Sequence, residues 1–374
     1  MKIKIRNLQK QKNRKLRETN MAQRQTKHLR AVSFFLIVVV LFLSVPFGSS
    51  ALTQTSADYE NLKLSAGGIP FGVKFITEGV LIVGMNDVPT KSGKQCPARE
   101  AGLRIGDRIV KIGNQALISA AELTEIVEHA QAKPLKITYL RAGKTQTATL
   151  TPVYSSAEAR YVTGLYVRDS GAGIGTLTFI VPETGAFAGL GHGICDATTG
   201  KPLPIRRGSV VDVTIKSVVK GIAGAPGEVK GYFSSGKTGT LLGNTDCGVY
   251  GVLAKLPKTL SEPIPVGLRN EVKDGKATIL CTLDESGRQE YEVELSAIQL
   301  EAMGNKCFTV KVTDGKLLEK TGGIIQGMSG SPIIQNGKLI GAITHVLIND
   351  PTTGYGIFIE NMLNAAQVPM QKAA

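Results

Sequence analysis

The chain has 374 residues, no Trp, 5% aromatic residues and a formal net charge of +14. That length exceeds one ordinary domain and predicts two. The charge is not a nucleic-acid signal: residues 1–30 hold eleven Lys/Arg against Glu18 alone, which is +10, leaving +4 (14 − 10) for the other 344 residues.

Ala31 to Phe47 runs 17 residues without a charge, and extension to Leu52 makes the stretch long enough to span a bilayer. The basic flank before it predicts a cytoplasmic N-terminus and an exported remainder. Ser49-Ser50-Ala51 also fits a cleaved signal, but so long a basic stretch favours an anchor. The expected order is a cytoplasmic tail (1–30), a transmembrane or signal-anchor segment (31–52) and a polar spacer (53–66). Cys96, Cys195, Cys247, Cys281 and Cys307 are odd in number and lack C-x-x-C spacing, so neither a disulfide framework nor a zinc site is expected. His192 and Cys195 stand at i, i+3 with no second pair to complete a metal site. No metal and no cofactor are expected.

Residues 67–154 alternate short β-rich runs, such as Val80–Val83 and Ile137–Leu140, with one amphipathic helix over Ala120–Ala130. Leu123, Ile126 and Val127 share a face of that helix, with Ser119 as N-cap and Glu122 as its capping-box partner. Ala101-Gly102-Leu103-Arg104-Ile105-Gly106-Asp107-Arg108-Ile109, followed by Lys111-Ile112-Gly113-Asn114, resembles the PDZ-domain signature. The resemblance implies a peptide-binding domain over 67–154. It also makes Pro70-Phe71-Gly72-Val73 the loop that receives a peptide carboxylate while the next strand pairs with the peptide. Pro70 stands where that loop has its first glycine and removes one N–H donor, so an internal segment is as suitable a ligand as a free C-terminus.

Ser155–Arg160 reads as a linker. Residues 161–374 carry short Gly-, Val-, Ile- and Thr-rich strands at Gly175–Ile180, Val210–Val219, Gly248–Leu253, Ala277–Leu283, Glu290–Leu295, Cys307–Val312 and Lys338–His345. Such spacing predicts a mainly β fold with a barrel or sandwich. Ser296–Met303 is the one helix expected there.

Chemistry concentrates in Gly327-Met328-Ser329-Gly330-Ser331-Pro332. A serine on a glycine-flanked turn suits a nucleophile, and the N–H groups of Gly327 and Ser329 are the natural donors to an oxyanion. Of the four histidines, His28 lies in the tail, His129 on the PDZ helix and His345 in a predicted strand. His192, between two glycines, suits the general base, and the order His…Ser is that of chymotrypsin-type peptidases. Acids between them include Asp196, Asp212, Asp246, Asp274, Asp284 and Asp314; spacing does not choose among them.

Taken together in this order, the leader, the PDZ signature, Gly-His192-Gly and Gly-Met-Ser329-Gly-Ser-Pro resemble the stage IV sporulation protein B family of signalling serine peptidases. The resemblance spans about residues 30–374. It implies a chymotrypsin-like β-barrel domain with His192, Asp314 and Ser329 as the triad. It also implies an enzyme exported to the space between forespore and mother cell. There it would cleave itself, somewhere in 53–66, and then a membrane-bound regulator of an intramembrane metalloprotease, leading to sigma-factor activation. The competing readings are a catalytically inert PDZ scaffold and a general quality-control protease of the envelope.

Overall fold

The computed structural model describes residues 59–196, 200 and 202–366. The expected tail and membrane segment, and residues 53–58 of the spacer, lie outside the described residues. The remaining spacer residues are part of the folded body. Tyr59 is buried with its hydroxyl donating to Asn364 Oδ1 at 2.6 Å. Lys63–Ala66 is a strand that pairs Ser65 with Ile180 and Lys63 with Pro265.

Two long strands organise the N-terminal half: an outbound strand, Pro70–Met85, and a return strand, Leu165–Ile180. They run antiparallel along nearly their full length, from Thr176↔Pro70 to Leu165↔Met85. The lower part of the outbound strand also pairs with Ile205–Val219, which continues through Glu228–Thr245, Gly248–Leu253 and Ala186–Gly189 back to the return strand. Six strands therefore close a ring around Phe71, Val73, Leu177, Phe187, Val210 and Leu241. A second, closed barrel follows: Gly275–Thr282, Arg288–Ser296, Phe308–Val312, Asp350–Phe358, Lys338–Leu347 and Pro332–Gln335. Its core includes Ile279, Val293, Phe308, Val310, Ile343 and Phe358.

The PDZ unit sits on the upper end of the ribbon formed by the two long strands. Val80 and Ile82 pack with Leu103, Ile109, Leu123, Val127, Ile137 and Leu150 in a core of their own. The expected helix forms over Ala120–Ala130, with Ser119 Oγ accepting from Glu122 N at 3.1 Å. The Glu122 carboxylate reaches past Ser119 to the N–H of Ile118, at 2.8 Å. Gly106-Asp107 turns into the strand as expected; buried Asp107 is held by Arg141, at 2.7 and 2.6 Å, and by the N–H of Arg104.

Three sequence expectations are corrected. The segment from Pro70 to Val73 is not a PDZ loop but a barrel strand paired on both edges: Gly72 faces Ile174 on one side and Val211 on the other. Its glycine makes room for a side chain, since a Cβ on Gly72 would stand 2.5 Å from the Phe233 ring. The PDZ unit is accordingly inserted into the first barrel rather than placed ahead of it. Secondly, Ser155–Arg160 is no linker, because Val153–Ser155 and Arg160–Val162 form a small antiparallel pair. Thirdly, Ser296–Met303 is not a helix: Ser296 ends a strand, Ala297 has φ 53°, and a turn closes from Ala302 N to Gln299 O at 3.0 Å.

Candidate active site

The loop Gln326–Gly330 leads into the strand Pro332–Gln335, and each of its carbonyls has a donor. Gln326 O accepts from Val229 N, Met328 O from Ser331 N and Ser329 O from Thr176 N, at 2.8, 2.9 and 3.0 Å. Gly327 O accepts from Thr176 Oγ1 at 2.7 Å and Gly330 O from Thr178 Oγ1 at 2.8 Å. A trans peptide points its N–H opposite its carbonyl. Anchoring the carbonyls of Gln326 and Met328 therefore aims the N–H groups of Gly327 and Ser329 the other way. Among the described residues, neither of these two N–H groups has an acceptor, whereas Met328 N and Gly330 N donate to Ile325 O and Ile343 O. Gly327 stands at φ 101°, a conformation that resists any side chain. Two free donors beside a serine can hold an oxyanion.

A cavity of about 650 Å³ opens over this loop. His192, Cys195, Asp246, Ser329 and His345 line it, with Ala172–Gly175 of the return strand along one wall. His192 is half-buried, and its Nδ1 lies 2.9 Å from the carbonyl of Gly193. A carbonyl only accepts, so Nδ1 carries the proton and Nε2 keeps its lone pair. Burial pushes the His192 pKa below its ordinary value, opposed by the Gly193 bond. Ser329 Oγ donates to Thr344 O at 2.8 Å, a resting arrangement in which the hydroxyl is turned to a strand carbonyl.

The fold adds a second imidazole that sequence order had set aside. His345 follows Thr344 on the strand Lys338–Leu347, and its ring centroid lies 4.9 Å from that of His192, tilted by 37°. Its Nδ1 is buried and, among the described residues, has no hydrogen-bond partner. Burial, then the charges of His192 and Lys306, hold its pKa down at about 4. Both rings are neutral near pH 7.

The acids separate clearly. Asp314 is the N-cap of the helix Gly315–Thr321, accepting from Leu317 N at 2.9 Å, and is not among the residues lining the cavity. Asp196, four residues after His192, is buried and lines a different cavity. Asp246, exposed at the rim, shares the cavity with His192 and Ser329. Among the described residues no group of three His, Cys, Asp or Glu is placed to hold a metal ion, and the cysteines are free thiols.

A second cavity, of about 530 Å³, lies in the PDZ unit between Leu123, Thr124 and Val127 of the helix and Thr163–Val167. The return strand pairs there with Leu81–Met85 on one edge; among the described residues its other edge has no strand partner. This is the free edge that Pro70–Val73 lacks. Its sequence sign was Thr163-Gly164-Leu165-Tyr166-Val167, a glycine before alternating apolar residues, inside what reads as the start of the next domain.

Two β-barrels, a serine loop with two unpaired N–H groups and a neutral histidine define a chymotrypsin-like serine endopeptidase carrying a PDZ domain. The SpoIVB peptidase S55 family matches residues 159–363, more than half of the chain, and a PDZ family matches residues 90–141. The chain belongs to the SpoIVB peptidase S55 family. Among curated proteins it is similar to "Probable protease eep" of Enterococcus faecalis, 30% identical over 127 residues. That match covers 33% of this chain and 29% of the relative's length. Similar solved structures include the PDZ domain of an SdrC-like protein from Listeria monocytogenes, at 22% identity, TM-score 0.20, 24% of this chain and 87% of that one. The HtrA-type protease AlgW with a decapeptide has 13% identity, TM-score 0.32, and coverage of 55% and 53%. The Rv3671c protease of M. tuberculosis, active form, has 15% identity, TM-score 0.30, and coverage of 55% and 78%.

Proposed function

We propose that this peptidase is an exported signalling enzyme in which Ser329 is the nucleophile, His192 the general base, and the N–H groups of Gly327 and Ser329 the oxyanion hole. The observation that carries the site assignment is the pair of unsatisfied N–H groups beside Ser329, in one cavity with a histidine whose Nε2 is free. In acylation Ser329 Oγ leaves Thr344 O, forms the bond to the scissile carbonyl carbon and gives its proton to His192 Nε2. The carbonyl π-electrons move to an oxygen held by the two N–H groups. Collapse of the tetrahedral species breaks the C–N bond as His192 returns the proton to the leaving amine.

Asp314, the acid implied by family resemblance, is occupied as a helix cap, while the Gly193 carbonyl accepts the hydrogen bond from His192 Nδ1. The PDZ groove between the Ala120–Ala130 helix and Thr163–Val167 would receive a peptide as an added strand. Because the same return strand walls the active cavity, an occupied groove and an open active site share one element. The substrates under this reading are the chain itself, upstream of Tyr59, and a membrane-bound regulator whose cleavage releases an intramembrane metalloprotease and so a sigma factor. The membrane anchor and the forespore–mother-cell location are part of the same proposal and rest on the sequence of residues 1–52.

The test is to express residues 53–374 and the full chain in membranes, each as wild type and Ser329→Ala, and follow intact mass over hours. Fragments in the wild type alone support a self-cleaving serine peptidase. Absence of fragments in both forms moves the reading to an inert scaffold. Broad digestion of casein by the wild type points to envelope quality control.

A further inference from the structure

Thr176 and Thr178 are hydroxyl residues on an otherwise apolar strand end, Ile174–Ile180, and both are buried. Alternate residues of a strand face one way. Both hydroxyls meet the serine loop: Thr176 Oγ1 donates to Gly327 O at 2.7 Å and Thr178 Oγ1 to Gly330 O at 2.8 Å. Thr176 also donates its N–H to Ser329 O at 3.0 Å. One residue thus grips the loop on both sides of Met328. A buried hydroxyl is costly unless bonded, and valine would fill the same strand position without that cost. Here the bonds go neither to solvent nor to the strand's own ladder but to the loop that aims the two free N–H groups.

We infer that Thr176 is a positioning residue for the oxyanion-binding loop of this peptidase, with Thr178 supporting it from the same face of the strand. The inference rests on the reading that Ser329 is the nucleophile. Thr176 touches no reacting atom. Its hydroxyl fixes the peptide between Gly327 and Met328, next to a glycine whose backbone turns easily once released. Without that bond the peptide that links the two donors is held only through Met328 N on Ile325 O. The spacing between the Gly327 and Ser329 N–H groups then loosens, and a displacement of about 1 Å at such a site can cost roughly 100-fold in rate. Serine keeps the donor; valine keeps the shape and loses it.

The experiment uses residues 53–374 and a fluorophosphonate probe. On reaction Ser329 Oγ bonds to phosphorus, fluoride leaves, His192 takes the proton, and the phosphoryl oxygen occupies the oxyanion position. Saturation kinetics with site-resolved mass spectrometry separates probe affinity from the bond-forming rate for wild type, Thr176→Val, Thr176→Ser and Ser329→Ala. The expected result is a bond-forming rate about 10- to 100-fold lower in Thr176→Val with affinity within about threefold, and Thr176→Ser within about threefold of wild type. If Thr176→Val does not fold, Thr176→Cys replaces it, being the size of serine with a much weaker donor; it should react well below Thr176→Ser. A wild-type rate in the valine or cysteine variant, with Ser329→Ala silent, overturns the inference alone. Labelling that persists in Ser329→Ala overturns the nucleophile assignment beneath it.

Discussion

Removing the PDZ unit separates the two ways of drawing its boundaries. A deletion of residues 67–154, the span the sequence motif suggests, takes out the lower half of the outbound strand with Phe71, Val73 and Phe75. These side chains are 2%, 2% and 5% exposed in the first barrel. Burying each contributes about 1.5–3 kcal/mol, so the three together give about 5–9 kcal/mol. A whole domain is stable by only about 5–15 kcal/mol, and the deletion also strips both neighbouring strands of a hydrogen-bonding partner. That variant should be insoluble or unfolded. Replacing residues 78–169 with Asn-Gly instead keeps Phe71–Ile76 in the barrel. It closes the ribbon just beyond the pair Ile76↔Ser170 with a short hairpin loop, Thr77-Asn-Gly. The short-hairpin protein should unfold cooperatively in urea and still label at Ser329 with a fluorophosphonate. A soluble, labelling 67–154 deletion, or a short-hairpin protein without a cooperative transition, would refute the placement of the PDZ unit as an insertion.

Other expectations follow from the site and its surroundings. Because burial lowers the His192 pKa, the base stays neutral to lower pH than a free imidazole, and the acid limb of the Ser329 labelling rate should have its midpoint below 6.5; a midpoint above 6.5 would contradict the buried base. His345, held near pKa 4, takes up its proton more readily in the unfolded chain. Its contribution to stability is therefore complete above about pH 6.5 and falls away as the pH drops towards 4, which urea unfolding across that range would report for wild type against His345→Gln. Asp314→Asn, which keeps a capping side chain, should label within a few-fold of wild type, and Asp314→Ala should lose about 1 kcal/mol of stability; a loss of labelling beyond about 1000-fold in the Asn variant would restore Asp314 to the catalytic group. In the PDZ unit, Arg141→Met leaves the buried Asp107 carboxylate without its bidentate partner, while Arg104 N still donates to it. With Arg141 partly exposed, a loss of about 2–3 kcal/mol is expected in chemical denaturation.

Much of this protein could be read from local sequence. The serine loop, the glycine-flanked His192, the PDZ signature from Ala101 to Asn114 and the Ala120–Ala130 helix with its Ser119 cap each depend on neighbours a few residues apart. The helix and its cap form as read, and Ser329 and His192 line one cavity. Tertiary structure decided what depends on pairing between residues far apart in the chain, such as Met85 with Leu165 or Phe71 with Asp212. Phe71-Gly72-Val73 and Thr163-Gly164-Leu165 have similar local patterns, and only strand pairing makes the first a sealed barrel strand and the second an open groove edge. In the same way His345 became a neighbour of His192 because the two barrels pack against each other there. The Asp314 cap on Leu317 N, by contrast, is a contact only three residues long, at the start of a helix, Gly315–Thr321, absent from the sequence expectations. The clamp of Thr176 on a loop 151 positions later had no local sign, since a threonine in a β-strand is ordinary until its hydroxyl is seen to point at a particular carbonyl.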